Sequence, residues 1–217
     1  MVSCCQCEGI ESQFGRKTAE RELRRFRRRG PRATTGQLVA DLRAAGVADA
    51  SLIDIGGGVG AIHHLLLDAG AREAVHVDVS AEYIEAARTE AARRGHGDRV
   101  RFVHGDFVQI APGLPDADVV TLDRVICCYP DMDSLVGHAA KKARRLFGAV
   151  YPRDVWWTRA VIRTINAFLR IRRSAFRVFV HSQAAIDAVL QQRGLERTAL
   201  QRTMVWEVVA YARRQAS

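Results

Sequence analysis

Apolar positions change their rhythm at about residue 50. Beyond it, short runs of consecutive apolar residues alternate with longer stretches in which apolar side chains recur every three or four positions. These are the periods of buried strands and of one-sided helices. The runs predict strands over 51–55 (SLIDI), 74–78 (AVHVD), 100–104 (VRFVH), 118–123 (DVVTLD) and 146–151 (LFGAVY). The longer period predicts helices from 61 to about 69, 80 to about 94, 131 to about 143, 155 to 171 and 183 to 193. Strand and helix in strict alternation predict a parallel sheet with helices on both faces. Residues 195–213 read as two strands joined by a very short turn near 201–203, so a closing hairpin adds one antiparallel strand.

Ahead of the alternation, residues 14–29 show a thin apolar edge at Phe14, Ala19, Leu23 and Phe26, and Gly30-Pro31 ends that helix. A second helix starts near the cap candidates Thr34 and Thr35 and carries Leu38, Val39 and Leu42 toward a core. The chain therefore divides into an N-terminal helical extension, 1–49, placed to act as a lid, and an α/β domain, 50–217. In the 155–171 helix, Trp157, Val161, Ile162, Ile165, Phe168 and Leu169 share one side. That side is expected to pack on the sheet, leaving Arg159, Arg163 and Arg170 in water.

Composition adds limits. With 217 residues, 48% of them hydrophobic, the chain can bury a substantial core. No apolar window is long enough to cross a membrane and the N-terminus lacks a signal-peptide core, so the expected location is cytoplasmic. Five cysteines, at 4, 5, 7, 127 and 128, form no disulfide framework or zinc spacing. The net charge is +9, and of 33 basic residues only Lys17, Lys141 and Lys142 are lysines. No zinc finger, RNA-stacking signature or helix-turn-helix accompanies the arginines, so no nucleic-acid partner is expected. The arginines around Trp156-Trp157, with R-R-F-R-R-R at 24–29, leave room for peripheral contact with an anionic membrane.

The candidate chemistry begins where the first strand ends, in D-I-G-G-G-V-G at 54–60. Glycines let a backbone turn sharply and let a ligand come close, and the helix that follows offers unpaired N–H groups. Gly56, Gly58 and Ala61 also satisfy the dinucleotide spacing G-x-G-x-x-G/A, so the turn alone does not select a ligand. Asp78 closes the second strand, where a carboxylate can accept hydrogen bonds from a ribose diol. Asp106, followed by Phe107, closes the third. Three strand ends thus carry an acid beside one glycine-lined crevice.

With these motifs the chain resembles the class I S-adenosylmethionine-dependent methyltransferases over about residues 50–213, through D-I-G-G-G-V-G, H-V-D-V-S and H-G-D-F. The resemblance implies a Rossmann-like, doubly wound, seven-stranded and mostly parallel sheet whose last strand is antiparallel. It implies that Gly56, Gly58 and Gly60 cradle the methionine part of S-adenosylmethionine, with Asp54 orienting the loop. Asp78 would bind the ribose, Val79 would lie against adenine, Asp106 and Phe107 would recognise the base, and Asp123 and Arg124 would lie beside the sulfonium. Through the arginine-rich N-terminal helices and T-L-D-R-V-I-C-C-Y-P-D at 121–131, the chain is also similar to the magnesium-protoporphyrin O-methyltransferase group, although its first motif has no cysteine between the glycines.

Methyl transfer from a sulfonium is an in-line displacement, so alignment in a dry site is the enzyme's main contribution. A carboxylate acceptor is ionised at pH 7 and needs no base, whereas a hydroxyl or amine needs a proton acceptor. Side chains expected at the rim are Tyr129, His138, Tyr151, Arg153, His181 and His64. Tyr129 and Arg153, just after strands 4 and 5, are assigned to substrate positioning in the catalytic site. The expected partner is a small-molecule methyl acceptor, most simply at oxygen, and no bound metal is expected. Two alternatives remain open. Cys127 and Cys128 suit thiolate-assisted metalloid methylation, and the basic surface suits a non-catalytic, cofactor-binding scaffold for a membrane or nucleic-acid partner.

Overall fold

In the computed structural model, Gly9 and residues 15–214 are described. Seven strands, β1 (Ser51–Ile55), β2 (Glu73–Asp78), β3 (Val100–His104), β4 (Ala117–Asp123), β5 (Ala143–Pro152), β6 (Leu195–Arg202) and β7 (Trp206–Arg213), form one sheet in the order β3-β2-β1-β4-β5-β7-β6. β1 to β5 pair in parallel, and β7 enters antiparallel between β5 and β6. This is the predicted sheet, with strands extended by a residue or more at several ends. β5 gains most, three residues at its start, where Ala143 pairs with Ala117, and one at its end, where Pro152 pairs with Trp206 of β7.

The helices are α1 (Arg16–Arg29), α2 (Ala33–Ala44), α3 (Ala61–Asp68), α4 (Ala81–Arg94), the short α5 (Phe107–Ile110), α6 (Met132–Lys142), α7 (Trp156–Ile171) and α8 (Gln183–Gln192). Alternation of side chains along β1 divides the core. Ile53 and Ile55 pack with α6 and α8 side chains such as Leu135, Ile186 and Leu190. Leu52 packs on the other face with Leu38 and Leu42 of α2 and Leu66 of α3. Among the described residues no helix is long and apolar enough to cross a membrane.

Two expectations change. Thr34 and Thr35 do not cap α2, which begins at Ala33 with Arg32 at its N-cap. Both are buried and turn toward β4 instead. The apolar side of α7 does not pack on the sheet: Trp156 is 77% exposed, Phe168 55% and Ile171 80%, and only Thr158 and Ile162 are buried. The sheet face that α7 would need is already covered, since α2 packs on β5 and β7.

α1 presents Ala19, Leu23 and Phe26 to Tyr83 and Ala86 of α4. Polar ties fix the same contact. Tyr83 Oη donates to Glu22 Oε2 at 2.9 Å, and Arg27 Nε donates to Glu90 Oε2 at 2.7 Å. Glu90 has no exposed side-chain surface and also accepts from Arg93 and Arg94. Burial opposes its ionisation, but the hydrogen bonds from Arg93, Arg27 and Arg94 outweigh it and hold the carboxyl well below its ordinary 4.5. Glu90→Gln is expected to remove about 1.5–3 kcal/mol of stability, the range for hydrogen bonds to charged groups. The deficit is full above the ordinary carboxyl value and shrinks as pH falls toward the folded one, so melts at neutral and acid pH measure it.

Candidate functional site

The loop after β1 is held from below and open above. Gly56, Gly58 and Gly60 have φ of +59°, +56° and +81°, a region that favours glycine. A Cβ on Gly56 would lie 2.4 Å from Val125 Cγ2. On Gly58 it would meet nothing nearer than the Tyr83 ring at 3.6 Å, so that side faces space. The space is a cavity of about 760 Å³ along the carboxyl ends of the strands.

Asp78 fastens this loop. Its Oδ2 accepts from the Gly58 N–H at 3.0 Å and its Oδ1 from the Ser80 N–H at 2.9 Å. Burial raises the carboxyl to about 6 although those two N–H groups favour the anion. Asp106 caps α5 by accepting from the Val108 N–H at 3.0 Å, and it also accepts from Tyr129 Oη at 3.1 Å. Phe107 and Val79 complete that wall. Asp54 borders the cavity from beneath the loop, with its Oδ1 held by Thr121 Oγ1 at 2.8 Å and its Oδ2 by His63 Nδ1 at 3.0 Å.

The β4 end meets the N-terminal helices. Thr35 Oγ1 donates to Asp123 Oδ2 at 2.6 Å, and Arg124 Nη2 donates to Thr34 Oγ1 at 2.6 Å. Burial raises the Asp123 carboxyl, with Arg124 and Thr35 opposing. Arg124 has φ +62° and lies 5.2 Å from the Trp206 ring centre. Glu22, Arg25 and Arg32 of the N-terminal segment close the cavity on that side.

The cavity thus brings together Asp54, Gly56, Gly58, Asp78, Val79, Asp106, Phe107, Asp123, Arg124 and Tyr129. Gly60 shapes the turn without lining it. Arg153 does not line the cavity, which corrects its expected place at the rim: the longer β5 carries it to the β6–β7 turn, where Nη1 donates to the Thr203 carbonyl at 3.1 Å. Tyr151 and His64 are buried in the core and also leave the rim, as do His138 on α6 and His181, which bonds the Tyr129 carbonyl. Cys127 and Cys128 line the cavity with sulfurs 3.9 Å apart. Cys4, Cys5 and Cys7 lie outside the described residues. Sequence reasoning missed Thr34, Thr35, Glu22 and Trp206. The first two carried a signal, paired hydroxyls next to an apolar helix, but it was read as a cap.

The residues fit S-adenosylmethionine. A cradle without side chains lies beside three acids at successive strand ends, and the wall between them holds an aromatic ring. Residues 53–145 match the family profile of the methyltransferase domain. No curated protein gives a significant sequence match. Among solved structures, magnesium protoporphyrin IX methyltransferase from Synechocystis PCC 6803 with bound S-adenosylhomocysteine is 18% identical over 96% of this chain and 100% of that one, with a TM-score of 0.75. An O-methyltransferase family protein from Burkholderia thailandensis is 19% identical over 96% of this chain and 64% of that one, with a TM-score of 0.69. The mitomycin 7-O-methyltransferase is 22% identical over 83% and 53%, with a TM-score of 0.61. The domain match, the strand order and the strand-end acids agree: residues 53–145 are similar to a methyltransferase domain, and the chain has the fold of these methyltransferase structures.

Proposed function

We propose that this chain methylates a carboxylate oxygen of a small acidic acceptor, which enters between α1 and the glycine loop. The observation that carries this reading is the cavity's outer wall, where Arg25, Arg32 and Arg124 outnumber Glu22, the partner of Arg32 at 2.9 Å, beside the strand-end acids. Bound S-adenosylmethionine supplies a methyl group on an electron-poor sulfur. Gly56, Gly58 and Asp54 shape its cradle, Asp78 orients the ribose, and Asp106 with Phe107 and Val79 selects the base. The guanidiniums orient the acceptor and lower the energy of its anion, and no proton has to leave an ionised carboxylate. Residues 1–49 act as a cover in which α2 is anchored on the sheet and α1 forms the outer wall. O-methyltransferases among the structural neighbours support oxygen as the target atom.

The test is label transfer from methyl-labelled S-adenosylmethionine to a panel of carboxylic acids, phenols and amines. An ester product releases its label as methanol in mild base. Arg32→Ala should then raise the acceptor KM by about 10-fold or more, the weight of one charge-assisted hydrogen bond, with cofactor affinity retained. Label in a base-stable product alone would overturn carboxylate chemistry.

One observation favours a second reading. The Cys127 and Cys128 sulfurs, 3.9 Å apart on the cavity wall, suit a soft trivalent metalloid held by two thiolates. Loss of arsenite methylation in Cys127→Ser, with cofactor binding intact, would support it, and unchanged turnover would remove it.

A further inference from the structure

Beneath the glycine loop lies a polar cluster that methyl transfer does not use. Thr121, Asp54 and His76 occupy one register row across β4, β1 and β2, so their side chains share a sheet face. α3 lays His63 across that row. Asp54, His63 and His76 are each at most 1% exposed. His63 Nδ1 stands 3.0 Å from Asp54 Oδ2 and 3.4 Å from His76 Nδ1.

Hydrogen bonding alone satisfies this cluster poorly. A neutral imidazole carries one N–H and one lone pair. If His63 Nδ1 donates to Asp54, the lone pair on its Nε2 is buried with no partner. His76 Nδ1 then faces a nitrogen whose proton is already engaged. The Nε2 atoms of both rings are buried without a hydrogen-bond partner among the described residues. An ion held by the two Nδ1 atoms would leave the Nε2 N–H groups as they are, so the case for it rests on the opposed Nδ1 atoms beside a carboxylate oxygen.

We propose that Asp54, His63 and His76 supply three ligands to a divalent transition-metal ion of the zinc type behind the cofactor loop, with its fourth position filled by no side chain of the cluster. The three donor atoms lie within 4.8 Å of one another. A tetrahedral zinc ion, with bonds of about 2.0–2.1 Å, spaces its donors about 3.3 Å apart. The observed 3.0 and 3.4 Å bracket that edge. Two imidazoles and one carboxylate match zinc, whereas calcium and magnesium take oxygen donors. The opposed nitrogens then share a cation instead of competing for one proton. Gly57 caps the cluster, because a Cβ there would lie 2.5 Å from His76 Nδ1 and 2.8 Å from Asp54 Oδ2. The ion would therefore stiffen the loop from below without touching the cavity's reactants.

The test uses the full chain, purified without a metal-chelating tag, stripped with chelator and titrated with zinc or cobalt(II) alone. We expect one ion per chain by elemental analysis and the strong visible absorption of tetrahedral cobalt, with no sulfur-to-cobalt charge-transfer band. The melting temperature should rise by about 5–10 °C at an ion concentration one hundred times Kd. His63→Gln and His76→Gln should each abolish the cobalt spectrum, and His138→Gln should preserve it. Should the core variants fail to fold, the wild-type titration decides. Substoichiometric metal, an unchanged melting temperature, charge-transfer bands from cysteine ligation, or equal binding by folded His63 and His76 variants would each overturn the proposal.

Discussion

Gly56→Ala is expected to lower stability by roughly 2–5 kcal/mol and to abolish measurable binding of S-adenosylmethionine. Two effects add. The left-handed φ of +59° costs a residue with a Cβ about 1–2 kcal/mol. The new methyl would stand 2.4 Å from Val125 Cγ2 and 3.2 Å from its Cγ1, and such overpacking costs about 1–3 kcal/mol. In a chain of this size the melting temperature should fall by roughly 5–15 °C. Gly58→Ala supplies the contrast, because it shares the φ but meets nothing within 3.5 Å. It should cost only the conformational part, while its methyl intrudes on the cavity and still weakens the cofactor. A Gly56→Ala, Val125→Ala double variant should recover the packing part but not the conformational part. If the two glycine variants melt together, the account of Val125 as the support beneath the loop is wrong.

Asp78→Asn should weaken cofactor binding by about 10- to 150-fold, the equivalent of about 1.5–3 kcal/mol for hydrogen bonds to an ionised group. Its pH dependence carries the stronger test. The wild-type carboxyl sits at about 6 in the cofactor-free protein, and the ribose hydroxyls are donors that prefer the anion. Calorimetric affinity should therefore fall by up to tenfold per pH unit below about 6, since each binding event must first remove a proton. The asparagine variant should show a flat profile. Stability moves the opposite way. A carboxyl raised from 3.8 to about 6 favours the folded state fully below the lower value and loses that contribution as pH rises through the upper one. Asp78→Asn is neutral throughout, so this pH dependence should vanish, but its single amide oxygen can accept from only one of the Gly58 and Ser80 N–H groups, and the variant should lose about 1–3 kcal/mol of stability. An Asp78→Asn variant whose affinity keeps the wild-type pH profile would show that Asp78 is not the group that titrates on binding.

The sequence exposed the sheet well because period-2 and period-3.6 patterns are local, and all five parallel strands announce themselves by runs such as Ser51–Ile55 and Ala117–Asp123. The acids at the strand ends were equally legible, since Asp78 and Asp123 close strand runs and Asp106 follows β3 by two residues. Orientation between elements was not. The α7 pattern reads as a buried face by composition alone, and only the placement of α2 on β5 and β7 shows that no sheet surface is left for it. Arg153 was misplaced for a related reason: one more paired residue at the end of β5 carries its side chain away from the crevice, and strand ends are where pattern reading is weakest. The histidines at 63, 64, 76 and 96 stand in three separate places along the chain, and nothing in their spacing reveals that these segments bury them together.

The different seating of the two long amphipathic helices has a consequence for how the protein breathes. Leu38 and Leu42 of α2 are fully buried against the sheet, whereas α7 buries only Thr158 and Ile162 and is otherwise tied by Asn166 to the Val178 backbone. Amide hydrogens of α2 should exchange with solvent deuterium only when β5 and β7 come apart, in the same slow class as the central strands. Those of α7 should exchange early, through a local opening that leaves the sheet intact, so the chain divides by exchange rate at Trp156 and not at residue 50.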